Sequence, residues 1–327
     1  MPITALDSVV LELATRESRK HVSRLGPLEG WADRYWETLV RGAQGAQLFD
    51  AENVLQWIVD MRMTGGEAFK MIAELPTCAP PYPFTYLEWD DDGVRSSALV
   101  AYSRDEKAAG RAVMMVFDTA RTSFGVETYL IGTAIFQFDD DGRVVTRADD
   151  PTMPVAEVLF SDVVRASMKV DPEMTPRYHA AIARSFGLSL FTFSLLHCTN
   201  VRAVEVDPRS SMSRQQLRAL ERSSRKALAY NVVQVRPLHG YRRSSSDPQG
   251  EGVRRRLHMV RGRFVCYGPE CREPDGTPSP HGLLFGKYAG NFFVPPHARG
   301  SHEEGAVAKT YRLCAPDGRE LSTTGGR

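Results

Sequence analysis

The sequence predicts an α+β fold: N-terminal helices with an antiparallel sheet, then a basic C-terminal region built as a twisted β-sheet or partial barrel. Three features of the chain lead to it. Apolar residues recur at three- and four-residue intervals through residues 31–75. Four runs rich in β-branched and aromatic residues follow between 84 and 138, separated by Gly, Asp and Ser. Charge is also split along the chain: residues 1–200 carry 28 acidic against 19 basic side chains, and residues 201–327 carry 12 against 22.

The helical region is expected because Trp36, Leu39 and Val40, then Val54, Leu55, Ile58 and Val59, then Phe69, Met71 and Ile72 fall on helix faces. Pro76, Pro80, Pro81 and Pro83 end it, since proline clashes with a helix interior and restricts the residue before it. Residues 84–89, 98–103, 112–118 and 128–138 then read as an antiparallel meander. Two turn sequences repeat, Asp90-Asp91-Asp92-Gly93 and Asp139-Asp140-Asp141-Gly142. Clustered carboxylates suit a hard cation, but Asp-Gly is also the commonest short hairpin signal. They are read as turns, and no metal is assigned.

Helices are expected over 155–169 and 176–196, the second with Tyr178, Ile182, Phe186, Leu190 and Phe193 on one face. Residues 201–206 alternate as a strand does, and 212–229 form a basic amphipathic helix or a basic spacer. Further β segments are expected at 231–237, at 257–267 with Gly262 as a bulge or point of close approach, and at 283–285, 291–294 and 309–313. This divides the chain into an acidic α+β region, 1–206, and a basic β-rich region, 207–327. The two form one continuous domain if strand 201–206 pairs with later strands.

With 42% hydrophobic and 25% charged residues in 327, the chain is neither wholly disordered, collagen-like nor a disulfide-dense mini-protein. Five scattered cysteines make no disulfide framework and fit a reducing compartment. Residues 1–20 carry Asp7, Glu12 and Glu17 and lack the apolar core of a secretory signal. The most apolar stretch, 188–198, has eleven residues where a spanning helix needs about 20, so it reads as a buried helix. A cytoplasmic protein with no membrane association is expected. P-loop, Rossmann, serine-elbow and zincin motifs are missing, and no cofactor is expected. A basic region joined to an acidic one offers a surface for a polyanion, or two halves that attract one another.

The densest set of functional groups lies between 258 and 302: His258, Arg261, Arg263, His281, Lys287, His297, Arg299 and His302, interleaved with aromatic residues that include Tyr267 and Phe293. Histidine moves protons near neutral pH, and Arg or Lys holds the charge that builds on a phosphate in a transition state. Aromatic rings stack on single-stranded bases. In a regular strand His258 and Arg261 would lie on opposite faces, so they share a site only if the pleat breaks near Gly262. Cys266 and Cys271 are followed by His281 and His297, but the Cys-x4-Cys spacing is loose for a structural zinc and the histidines lack a tight interval. His197-Cys198 is read as a satisfied pair at a helix end rather than a thiolate site, with Asn200 as a helix stop.

The strings His197-Cys198-x-Asn200-Val201, His258-x-x-Arg261-Gly262-x-Phe264-x-x-Tyr267, Leu284-Phe285-Gly286-Lys287 and His297-Ala298-Arg299-Gly300-Ser301 resemble a broad family of uncharacterised proteins carried by phages, prophages and other mobile elements. The resemblance spans roughly the last 130 residues. It implies a mobile-element setting in a bacterial cytoplasm and a common C-terminal site, not a reaction. The chain departs from the family pattern at Arg263, where the family has histidine, and near Phe293, where it has tryptophan. No mechanism that needs a histidine at 263 carries over.

Two functions remain open from sequence. The first is a protein that binds single-stranded nucleic acid, RNA in particular, and cleaves it without a metal. His258 and His297 would be acid and base, Arg261, Lys287 and Arg299 would hold phosphate, and Tyr267 and Phe293 would stack on bases. The alternative is a non-catalytic phage factor that binds a host protein or nucleic acid. The sequence sets no oligomeric state. Because Pro295-Pro296 must end strand 291–294, His297 and Arg299 are expected on a partly exposed loop at a sheet edge, within reach of the strand bearing His258.

Overall fold

A short buried strand organises the main sheet. The computed structural model describes residues 6–23, 35–61, 75, 77–91, 93–104, 110–122, 125–150, 154–215, 217–218, 228–235, 256–260, 262–267, 290–294, 297–299 and 301–306. In it, β1 (Gln47–Asp50) pairs in parallel with β2 (Phe84–Asp91) on one side and with β8 (Tyr230–Val235) on the other. From β2 the chain runs as the expected meander, through β3 (Val94–Ser103), β4 (Gly110–Thr122) and β5 (Gly125–Phe138) to β6 (Ala156–Phe160). Beyond β8, β7 (Val201–Val206) closes the other edge by antiparallel pairing. The order is β6-β5-β4-β3-β2-β1-β8-β7. Strand β8 comes from the basic part of the sequence and lies between β1 and β7, so one sheet runs across residues 206/207.

Helices cover both faces. On one, α1 (Leu6–Leu13), α2 (Arg16–Ser23) and α3 (Tyr35–Gln44) lie with Leu99, Val113, Met115 and Phe117 of the sheet, and Leu6, Val9, Leu13 and Leu39 are buried there. On the other, α4 (Glu52–Asp60), α5 (Asp162–Val170) and α6 (Met174–Leu196) pack over Val100, Met114, Val116 and Phe136. Each fully buried Leu, Val or Phe contributes about 1.5–3 kcal/mol relative to exposure, which makes these two layers the main source of stability. Among the described residues, α6 is long and apolar enough by length and composition to cross a membrane, yet most of that window is buried inside the protein.

Where local signals and tertiary structure compete, the outcome differs from the sequence expectation. Residues 47–50 interrupt the helical region as a strand. Leu48 and Phe49 are buried on opposite faces, and a four-residue run is too short to register against the helical spacing around it. Residues 155–169 are not one helix: β6 occupies 156–160, and Ser161 then caps α5, its Oγ accepting the Val164 N–H at 3.3 Å. Residues 257–267 form two strands in separate sheets, β9 (Arg256–Val260) and β10 (Arg263–Tyr267), with Gly262 between them. The segments 236–255, 268–289 and 307–327, which include the β segments expected at 283–285 and 309–313, lie outside the described residues, as does most of 212–229.

Both Asp-rich sequences form turns. Gly93, with φ +85°, closes the β2–β3 hairpin and donates its N–H to Asp90 Oδ1 at 2.8 Å. Gly142, with φ +77°, donates to the Asp139 carbonyl at 3.0 Å, and Asp139 Oδ1 accepts the Arg143 N–H. At these two positions glycine is needed because an L side chain is strained at positive φ.

Inside the sheet, Glu88 is fully buried on β2. It receives the Arg95 Nε–H on one oxygen and the Tyr86 hydroxyl, at 3.2 Å, on the other. A buried carboxylate costs far less when it is paired and hydrogen-bonded, and this pair links β2 to β3.

Candidate functional site

The strand after the two prolines returns to β9. β12 (His297–Arg299) pairs with β9 in antiparallel register, His297 opposite Val260, Ala298 opposite Met259 and Arg299 opposite His258. β13 (Ser301–Ala306) pairs with β9 in parallel instead, Ser301 opposite Arg256 and Ala306 opposite Leu257, with a register shift between the two. Directly opposed residues lie on the same face of a ladder and successive residues alternate. Positions 256, 258 and 260 of β9 and 297 and 299 of β12 therefore share one face, bearing Arg, His, Val, His and Arg. Positions 257, 259 and 298, bearing Leu, Met and Ala, share the other.

This arrangement brings His258, His297 and Arg299 together. Arg299 is the direct cross-strand neighbour of His258, and His297 holds the diagonal register position. The expected loop at 297–299 is instead an edge strand in the order β12-β9-β13. The prolines end β11 (Gly290–Val294), but an extended chain that resumes after them pairs again. Arg256, on the same face, was not singled out from sequence. Its place follows only from the register, which no local pattern reveals.

Arg261 and Lys287 lie outside the described residues. Tyr267 is the last residue of β10, opposite Gly290 of β11. Phe293 requires a correction. It is 1% exposed, with its ring centroid 5.7 Å from that of Trp57, 5.4 Å from Phe191 and 5.2 Å from Phe264. Its ring is part of the core and has no free face for a base. Three aromatic neighbours from α4, α6 and β10 converge on it, and burying a phenyl ring among them is worth more than leaving it on an exposed strand. Arg263, by contrast, is exposed on β10.

The motif at the end of α6 is structural in most of its parts. Cys198 is buried, its Sγ donates to the Ser194 carbonyl at 3.3 Å, and burial pushes its thiol up to about 12, which removes it as a nucleophile at neutral pH. The expected buried pair is half right, because His197 is exposed, with Nε2 donating to the Ala79 carbonyl at 2.8 Å. Asn200 does more than stop a helix: its side chain bonds the backbone of Phe293. Among the described residues, no group of three or more His, Cys, Asp or Glu is placed to hold a metal ion.

Comparison with protein-family models, with curated proteins and with solved structures finds no match to this chain.

Proposed function

We propose that the chain binds single-stranded RNA and cleaves it by acid–base catalysis on the β9–β12 face, with His258 and His297 as the proton-transfer pair and Arg299 as the phosphate ligand. One observation carries this reading: the register that sets Arg299 opposite His258 and His297 on its diagonal. Two histidines at diagonal positions of one ladder face suit acid–base work on one phosphodiester, and an arginine at the adjacent position of that face suits its charge.

In the reaction, one neutral imidazole takes the proton of the ribose 2′-hydroxyl as that oxygen bonds to phosphorus. The other, protonated, gives its proton to the 5′-oxygen as the P–O5′ bond breaks. The products are a 2′,3′-cyclic phosphate and a 5′-hydroxyl end, and the two histidines finish with their protonation states exchanged. Arg299 offsets the negative charge that builds on the phosphate oxygens. The setting implied by the mobile-element resemblance, a bacterial cytoplasm, belongs to the same proposal.

The test is incubation of the full chain with end-labelled RNAs in the presence of chelator, beside His258→Ala and His297→Ala. Cyclic-phosphate products from the parent, a loss of at least 100-fold in either variant and a bell-shaped pH profile for the parent are expected. Binding without cleavage would leave a non-catalytic nucleic-acid-binding protein. Neither binding nor cleavage at low salt would overturn the proposal.

A further inference from the structure

A buried amide holds the strand that leads into the ladder. Asn200 follows the last turn of α6 and is buried. Its Oδ1 accepts the Phe293 N–H at 3.0 Å, its Nδ2 donates to the Phe293 carbonyl at 2.8 Å, and the neighbouring Thr199 N–H donates to the Asn291 carbonyl at 2.8 Å. A side-chain amide that satisfies both the N–H and the C=O of one residue does what an adjacent strand would do. β10 pairs with β11 through the register Phe264 to Phe293, so β11 is held by β10 and, through a second set of bonds, by residues 199 and 200.

From Phe293 only Val294, Pro295 and Pro296 precede His297. Prolines hold φ near −65° and supply no N–H, and the step from 294 to 297 spans at most about 11 Å. The place at which the chain enters β12 is therefore set by where β11 is anchored. We infer that Asn200 is a positioning residue for His297 and Arg299, fixing the register of β12 on β9 from the end of α6. This rests on reading the β9–β12 face as the RNA site, and it adds a requirement that lies outside that face.

The experiment compares the full-length parent with Asn200→Ala and Asn200→Asp by backbone hydrogen exchange and by RNA cleavage. In Asn200→Ala, protection at 290–294 and at 297–299 should fall tenfold or more while residues 96–101 and 112–117 of the main sheet keep theirs. The kcat should fall about 100-fold, the usual consequence of a catalytic group displaced by an ångström, with KM changed far less. Unchanged protection at 297–299 would overturn the inference whatever the cleavage assay shows. If the parent cleaves no RNA, the proposed function fails, and the exchange data alone decide the positioning role. If the alanine variant loses the main sheet as well, Asn200→Asp decides. Its carboxylate keeps the acceptor but donates only when protonated, so protection at 297–299 should recover as pH falls through the carboxyl range, measured against the parent at each pH. No such recovery would overturn the inference.

Discussion

Arg299 lies directly opposite His258 across the β12–β9 ladder, and the two come from strands 41 positions apart in sequence. In the proposed function, Arg299 holds phosphate by charge and His258 moves a proton. Replacing Arg299 with Ala should weaken binding to all RNA sequences alike. The slope of log K against log salt should shrink by about 0.7, the contribution of one single-strand phosphate contact. Fluorescence anisotropy across a salt series measures it, and an unchanged slope would remove Arg299 from the phosphate site.

Phe293→Ala should act on stability rather than on base stacking. The ring is fully enclosed among Trp57, Phe191 and Phe264, so its truncation should cost about 3–5 kcal/mol in urea unfolding. Phe293→Leu, which keeps most of the volume, should lose less. Equal stability of the alanine variant and the parent would contradict the burial.

The two turn glycines should differ in their tolerance of a side chain. A Cβ at Gly93 meets nothing within 4 Å, so Gly93→Ala carries the backbone strain alone, about 1 kcal/mol. A Cβ at Gly142 would stand 2.6 Å from Thr77 Oγ1, so Gly142→Ala adds a clash to the same strain. Thermal melts should show the larger drop at 142, and Thr77→Ala in the Gly142→Ala background should restore part of it.

Cys78 and Cys198 are both buried, and burial pushes each thiol up to about 12. Folding thus favours the protonated form. The associated stability is complete below the thiol range of the unfolded chain, near 9, and is lost as pH rises towards 12. Stability should fall between pH 9 and 11 more steeply in the parent than in Cys78→Ala/Cys198→Ala, measured by chemical denaturation at each pH. Neither thiol should react with iodoacetamide at pH 8 until the protein is unfolded, as peptide mass spectrometry would show.

What the sequence by itself determined are the elements whose signals are local. The meander of β2 to β5 was legible because its strands are rich in β-branched and aromatic residues and are separated by Gly, Asp and Ser, with an Asp-Gly turn between β2 and β3 and another after β5, and α6 because its apolar face repeats at helical intervals. The candidate histidines were legible as a composition, four of the eight between 258 and 302. Tertiary structure alone decided the rest. Strand β1 exists because two partners, drawn from residues 84–91 and 230–235, pair with it in parallel, and four residues carry no periodicity of their own. Phe293 joined the core rather than the surface because Trp57, Phe191 and Asn200 meet it from elements at least 93 positions away in sequence. The shared face of His258, His297 and Arg299 depends on a strand register, and shifting that register by one residue would move every side chain of β12 to the other face. Register is set by pairing between distant segments, so it is absent from any local reading of the chain.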